Sequence, residues 1–220
     1  KRWFSLSEIH LIMEYCPGKT VQQIRPESME EIARIFLRVA DALAYMNDQG
    51  FVHADMKPNN IILAPDGGVK VIDLGQSCPV GTIKKRIQGT PDFIAPEQVQ
   101  RRPLDARTDV YNFGAALYWV MTGKPIPTVL PKRQEGGMFL KDLTLLPPEE
   151  LNPAVPQSLS RLTMDCIPMQ PAKRVASMRE VRGRLDLISL AMQRNGNARK
   201  EDATPPRPGG SGEYPARREA

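Results

Sequence analysis

Cysteine is scarce in this chain. Cys16, Cys78 and Cys166 are odd in number and form no C-x-x-C pair. Neither a disulfide framework nor a zinc site is supported, so reduced thiols in a cytoplasmic protein are the expectation. Long apolar runs are missing as well. The longest, residues 113–121, falls far short of the ~20 residues a membrane-crossing helix needs. No basic start followed by a long apolar core and a cleavage site stands at the N-terminus, so no signal peptide is expected. Charge of one sign is not concentrated either. The net charge is +5, and its densest groupings, Lys84-Lys85-Arg86 and Arg101-Arg102, are short. Nucleic-acid binders gather positive charge into stripes, so nucleic acid is not an expected partner.

What is present fits a folded globular chain. Of 220 residues, 41% are hydrophobic and 25% charged, which suits one domain or two small lobes sharing a core. Lys1 is not an initiator Met, which predicts that the chain is cut from something longer. No internal repeat is visible.

Residues 9–14 are apolar and precede Cys-Pro-Gly, which reads as a buried strand ending in a turn. From Ser28 to Asp48, Ile32, Ile35, Phe36, Val39, Leu43 and Met46 recur at helical spacing. Ser28 and Glu31 make a capping box and Gly50 stops the helix. Strand signals follow at 51–52, 61–63 and 69–72, the last two joined by the turn residues Ala-Pro-Asp-Gly-Gly as a hairpin. A second helix over about 108–121 is apolar nearly all round and is predicted to be central and buried. Residues 124–156 are proline-rich and read as largely irregular, and two further helices are expected near 157–167 and 176–192. From residue 193 onward apolar content nearly vanishes, predicting a disordered Pro/Gly-rich tail. The fold class is α+β, mainly helical, with a small β-hairpin region and a central buried helix.

The chemistry concentrates in His53-Ala54-Asp55-Met56-Lys57-Pro58-Asn59-Asn60, between two strand signals, and in Asp73-Leu74-Gly75 thirteen residues later. An Asp able to meet a hydroxyl proton, a nearby Lys, and an Asn and Asp able to hold a divalent cation suit phosphoryl transfer. That reaction needs in-line positioning and charge neutralisation more than covalent help. Carboxylate and carboxamide oxygens are the hard ligands Mg²⁺ takes.

These residues resemble the catalytic motifs of the protein kinase family, serine/threonine type. The catalytic loop H-R-D-x-x-x-x-N is matched by residues 53–60 except at Ala54, where the family commonly has Arg. The resemblance implies that Asp55 is the base, Lys57 contacts the γ-phosphate, and Asn60 and Asp73 bind Mg²⁺. It implies that Thr90, in Gly89-Thr90-Pro91, bonds to Asp55 and Lys57, and that residues 95–97 are the family's A-P-E. Asp109 resembles the buried Asp that holds the catalytic-loop backbone, and Arg174 the late Arg that pairs with Glu97. His53 reads as a packed structural histidine. Residues 13–16 look like the hinge, where backbone groups of Glu14 and Cys16 would bond the adenine of ATP, with Ile62 in its floor.

The resemblance runs from about residue 7 to 192. It implies a kinase-like C-terminal lobe over 17–192, with residues 1–16 as the last small-lobe strand and hinge. Neither G-x-G-x-x-G nor a V-A-I-K lysine precedes that strand in this chain. The implied activity is transfer of the ATP γ-phosphate to Ser or Thr of protein substrates, weak in the fragment alone. Ala54 implies little dependence on loop phosphorylation, because a loop phosphate would lack its guanidinium partner. Two alternatives stay open: a pseudokinase or non-catalytic binding module, and a small-molecule phosphotransferase of related fold. Lys57, the Gly-Thr-Pro loop and Ala-Pro-Glu favour protein substrates.

Overall fold

Ser28 opens the first long helix by accepting a hydrogen bond from the Glu31 N–H at 3.1 Å. In this computed structural model, which describes residues 10, 12–127 and 145–202 with side chains to 195, that helix is α1, Met29–Asp48. Five short strands lie among the described residues, and α1 packs against the second and fourth of them. β1 (Lys19–Thr20), β3 (Ile61–Leu63) and β4 (Val69–Val71) form an antiparallel sheet in the order β1-β3-β4. β2 (Phe51–Val52) pairs with β5 (Cys78–Pro79), Val52 opposite Cys78. The hairpin expected from the turn residues is the β3–β4 pair.

The remaining elements are helical: α2 (Pro96–Val99), α3 (Ala106–Thr122), α4 (Pro148–Leu151), α5 (Gln157–Cys166) and α6 (Met178–Asp202). Asp105 caps α3 and Gly123 ends it at φ +74°, a left-handed conformation that glycine adopts without a Cβ clash. α3 lies at the centre as its all-round apolar surface predicts, with nearly every residue from Thr108 to Met121 buried. It packs against α1, α5 and α6. Phe113 meets Phe36 of α1 edge-to-face at 5.3 Å, a favoured aromatic geometry. Gly114 lets α5 come close: a Cβ there would sit 2.6 Å from that of Cys166.

Two expectations need correction. Residues 12–14 do not form a buried strand: no regular structure is present there, and Ile12 is 95% and Met13 73% exposed. A strand is held by its neighbours, and among the described residues none pairs with this stretch. Residues 193–202 are not a tail, because α6 continues through them to Asp202. Gln193, Arg194, Ala198, Arg199, Lys200 and Glu201 are good helix formers, and this local propensity outlasts the apolar stripe. The irregular region expected at 124–156 contains α4, and its residues 128–144 lie outside the described ones, as do residues 203–220.

Candidate active site

The loop after β2 is fixed from the core. Asp109 of α3, fully buried, accepts from the backbone N–H of His53 and of Ala54, both at 2.9 Å, and from Asn47 Nδ2 at 2.8 Å. Burial pushes its pKa up, and those three donors pull against it. Ala54 turns through φ +62°, a strained conformation for a residue with a Cβ. Its N–H is held by Asp109 and its carbonyl accepts from Gln98 Nε2 at 2.7 Å, so both flanking peptide groups are pinned. His53 is a packed histidine. Its Nδ1 accepts from the Asp55 N–H and its Nε2 donates to the Ile72 carbonyl, both at 3.3 Å.

That turn delivers Asp55 to a polar cluster. Lys57 Nζ donates to Asp55 Oδ2 and to Thr90 Oγ1, each at 2.8 Å, and Thr90 Oγ1 donates to Asp55 Oδ1 at 3.1 Å. Three side chains that span 35 residues of sequence thus close one ring. Asn60, at the end of the 3-10 turn Pro58–Asn60, donates Nδ2 to the Asp55 carbonyl at 2.8 Å. Its own carbonyl accepts from the Ile72 N–H at 3.0 Å, which sets Asp73 on the chain segment alongside. Asp73 is exposed at φ +64° and caps the short turn Leu74–Gln76 through its carboxylate.

Glu14 and Cys16 precede β1, and Ile62 lies in β3. Glu14 ion-pairs with Lys70, which holds the Lys70 pKa above its usual value through that side-chain bond. Lys70 lies opposite Ile62 in the β3–β4 register, and Ile62 and Cys16 are half-buried. The segment before β1 is thereby tied to β4, the strand paired with the one that carries Ile62.

A further group braces the loop that holds Thr90. Glu97 of α2 receives both terminal nitrogens of Arg174, at 2.7 and 2.8 Å, and the Thr108 hydroxyl at 2.9 Å.

Comparison with known proteins decides the family. Residues 3–183 match the model of the protein kinase domain. The chain belongs to the protein kinase family. A "probable serine/threonine-protein kinase" of Clostridium acetobutylicum is 31% identical over 78% of this chain. Sperm motility kinase 2B of Mus musculus is 40% identical over 53% of it. An "inactive serine/threonine-protein kinase" of Mus musculus is 32% identical over 70%. The chain spans 27%, 26% and 27% of those relatives' own lengths. Kinases of this family generally use ATP and Mg²⁺ and act on protein substrates.

Within this kinase chain, some residues that hold the site were invisible in the sequence. Gln98 bonds the Ala54 and Gln88 carbonyls through Nε2 and accepts from the Ala95 N–H and Asn112 Nδ2 through Oε1. Asn47 reaches Asp109 from the last turn of α1. Both are side-chain amides in helices, which carry no spacing signal of their own.

Proposed function

We propose that the chain is the C-terminal lobe of a serine/threonine protein kinase, residues 17–192, preceded by a hinge ending at residue 16, and that Asp55, Lys57 and Thr90 are its catalytic side chains. The observation that carries this reading is the ring of hydrogen bonds joining those three residues. An ionised carboxylate has about four lone-pair sites. Asp55 accepts from Lys57 and Thr90 and retains capacity for a substrate hydroxyl, whose proton it would take. Lys57, its ammonium held between Asp55 and Thr90, supplies positive charge for the transferred phosphoryl group.

The donor set suits ATP and Mg²⁺. Asn60 is buried and held by its amide nitrogen, leaving a carboxamide oxygen, and Asp73 offers a carboxylate. Among the described residues no group of three or more His, Cys, Asp or Glu is placed to hold a metal. Mg²⁺ commonly takes one or two protein oxygens with substrate phosphates and water, so Asn60 and Asp73 would hold it together with the nucleotide. Bound there, Mg²⁺ would neutralise charge on the phosphates. Ile62 would floor the adenine, with Glu14 and Cys16 meeting it through the backbone.

A pseudokinase is the second reading, favoured by the relative named inactive. Mg²⁺-dependent binding of ATP tests the site. Asp73→Ala should weaken Mg²⁺-dependent affinity, whereas Asp55→Ala should leave affinity near wild type and remove transfer. Equal affinity for the wild type and Asp73→Ala, with no transfer by either, would favour the pseudokinase.

A further inference from the structure

Two basic stretches that the sequence keeps apart are joined beside the proposed catalytic ring. Lys85 and Arg86 lie on the segment after β5, Arg101 and Arg102 after α2, and all four are exposed. Arg101 Nη1 donates to the Lys85 carbonyl at 3.3 Å. Close by, the Gly81 N–H donates to the Leu104 carbonyl at 2.8 Å, and the Leu104 N–H to the Thr82 carbonyl at 3.1 Å. Arg101 sits at φ +50°, a strained conformation fixed at this junction.

The neighbouring acids leave the patch largely uncompensated. Glu97 is buried on Arg174, and Asp105 pairs with Arg107 at 2.6 Å. Among the described residues from 74 to 107, Asp92 is the remaining carboxylate. None of Lys85, Arg86, Arg101 and Arg102 has an ion-pair partner among the described residues.

The patch also adjoins Asp55 through one side chain. Gln98 Nε2 bridges the Ala54 and Gln88 carbonyls, at 2.7 and 3.2 Å. Arg86 is two residues before Gln88, and Thr90 two after it. The basic residues 85 and 86 and the hydroxyl of Thr90 are thus carried by one segment, anchored at Gln88 against the loop that holds Asp55.

We propose that this patch selects acceptor peptides with carboxylate side chains, Asp or Glu, flanking the hydroxyl, through Lys85, Arg86, Arg101 and Arg102. Guanidinium groups grip carboxylates bidentately and phosphates in the same way, so a phosphorylated residue at the flank shares the chemistry. The identity of the ligand as an acceptor peptide rests on the phosphotransfer reading.

Fluorescence anisotropy on the intact chain tests it, with labelled Ser peptides flanked by Asp/Glu, by phosphoserine, by Asn/Gln or by Lys, and with a labelled single-stranded RNA. The Asp/Glu peptide should bind about tenfold tighter than the Asn/Gln one at low salt, and the gap should shrink at ~0.5 M salt. Lys85→Gln/Arg86→Gln should remove most of that preference, whereas Arg34→Gln/Lys173→Gln, the same charge loss at exposed positions elsewhere, should keep it. Phosphoserine flanks that bind far tighter than Asp/Glu would replace carboxylate by phosphate as the ligand and overturn the proposal as stated. Equal affinity for the acidic and neutral peptides, a preference for Lys flanks, tighter binding of RNA than of any peptide, or equal loss in both double variants would also overturn it. Phosphate transfer from ATP is read in parallel on the full gene product containing this chain: transfer without acidic preference counts against this inference alone, and acidic preference without transfer counts against the transferase reading alone.

Discussion

Arg174 has no exposed side-chain surface, and all its donors are directed at oxygens. Besides the two Glu97 oxygens, it bonds the Pro168, Met169 and Arg107 carbonyls, and its guanidinium lies 4.8 Å from the Tyr111 ring centroid. Burial also pushes the Tyr111 hydroxyl up to about 12, so that ring stays neutral beside the pair. Removing Glu97 would leave a buried guanidinium facing no carboxylate, and breaking such a pair costs about 3–5 kcal/mol. Glu97→Ala should therefore lower the unfolding free energy by that amount in urea titration; wild-type stability would show that the pair contributes nothing. Asp55, Lys57 and Asn60 were legible because they fall in one short motif, and Thr90 because its loop resembles a known one. Gln98 was not legible. Its role depends on where the Ala54 and Gln88 carbonyls are in space, and no local pattern encodes that.

α3 organises the rest, and its two vulnerable points are a glycine and a cap. Gly114→Ala would place a methyl 2.6 Å from Cys166 Cβ and 2.8 Å from Ile167 Cγ2. A Cβ cannot swing aside, so α3 and α5 would have to part. The overpacking cost, about 1–3 kcal/mol, should exceed the gain in helix propensity. Thermal denaturation should show a lowered Tm, and an unchanged or raised one would place α5 farther away than described.

At the other end, Asp105 accepts from the Arg107 N–H at 2.8 Å. Burial pushes the Asp105 carboxyl up, but hydrogen bonds and charge from Arg107 outweigh it and hold it below its usual 3.8. A depressed carboxyl stabilises the fold above its unfolded value and loses that contribution as pH falls through the folded one. Asp105→Ala should thus cost about 1 kcal/mol at neutral pH. The gap from wild type should narrow as pH falls below about 4; a gap unchanged down to pH 2 would contradict the assignment. The long helices were legible from their periodicity and caps. β1 and β5, two residues each, were not, because Lys19-Thr20 and Cys78-Pro79 lack the pair of strand-favouring apolar residues that marked Phe51-Val52 and are strands only through their partners.

The central core gathers α1, α3, α5 and α6, and Cys166 reports on its integrity. Burial pushes its thiol up to about 12, so the thiolate that reacts with alkylating agents is nearly absent in the folded chain at pH 8. Iodoacetamide should modify half-buried Cys16 first and Cys166 only after denaturation, as mass spectrometry of the digested protein would show; modification of native Cys166 at the rate of Cys16 would mean a looser core. Around that core the loop with Asp55, the segment with Thr90 and the chain leading to Asp73 meet through Asp109, Gln98 and Asn60. The central claim is that this scaffold presents Asp55 to a hydroxyl for phosphate transfer. The direct measurement is the rate of transfer from ATP to a Ser/Thr peptide by the full gene product containing this chain, wild type against Asp55→Ala, with ATP affinity measured alongside. The account predicts a fall of roughly 10²–10⁴-fold in rate, the range for losing a general base, with affinity nearly unchanged. Undiminished transfer by Asp55→Ala, or no transfer by the wild type, would contradict it.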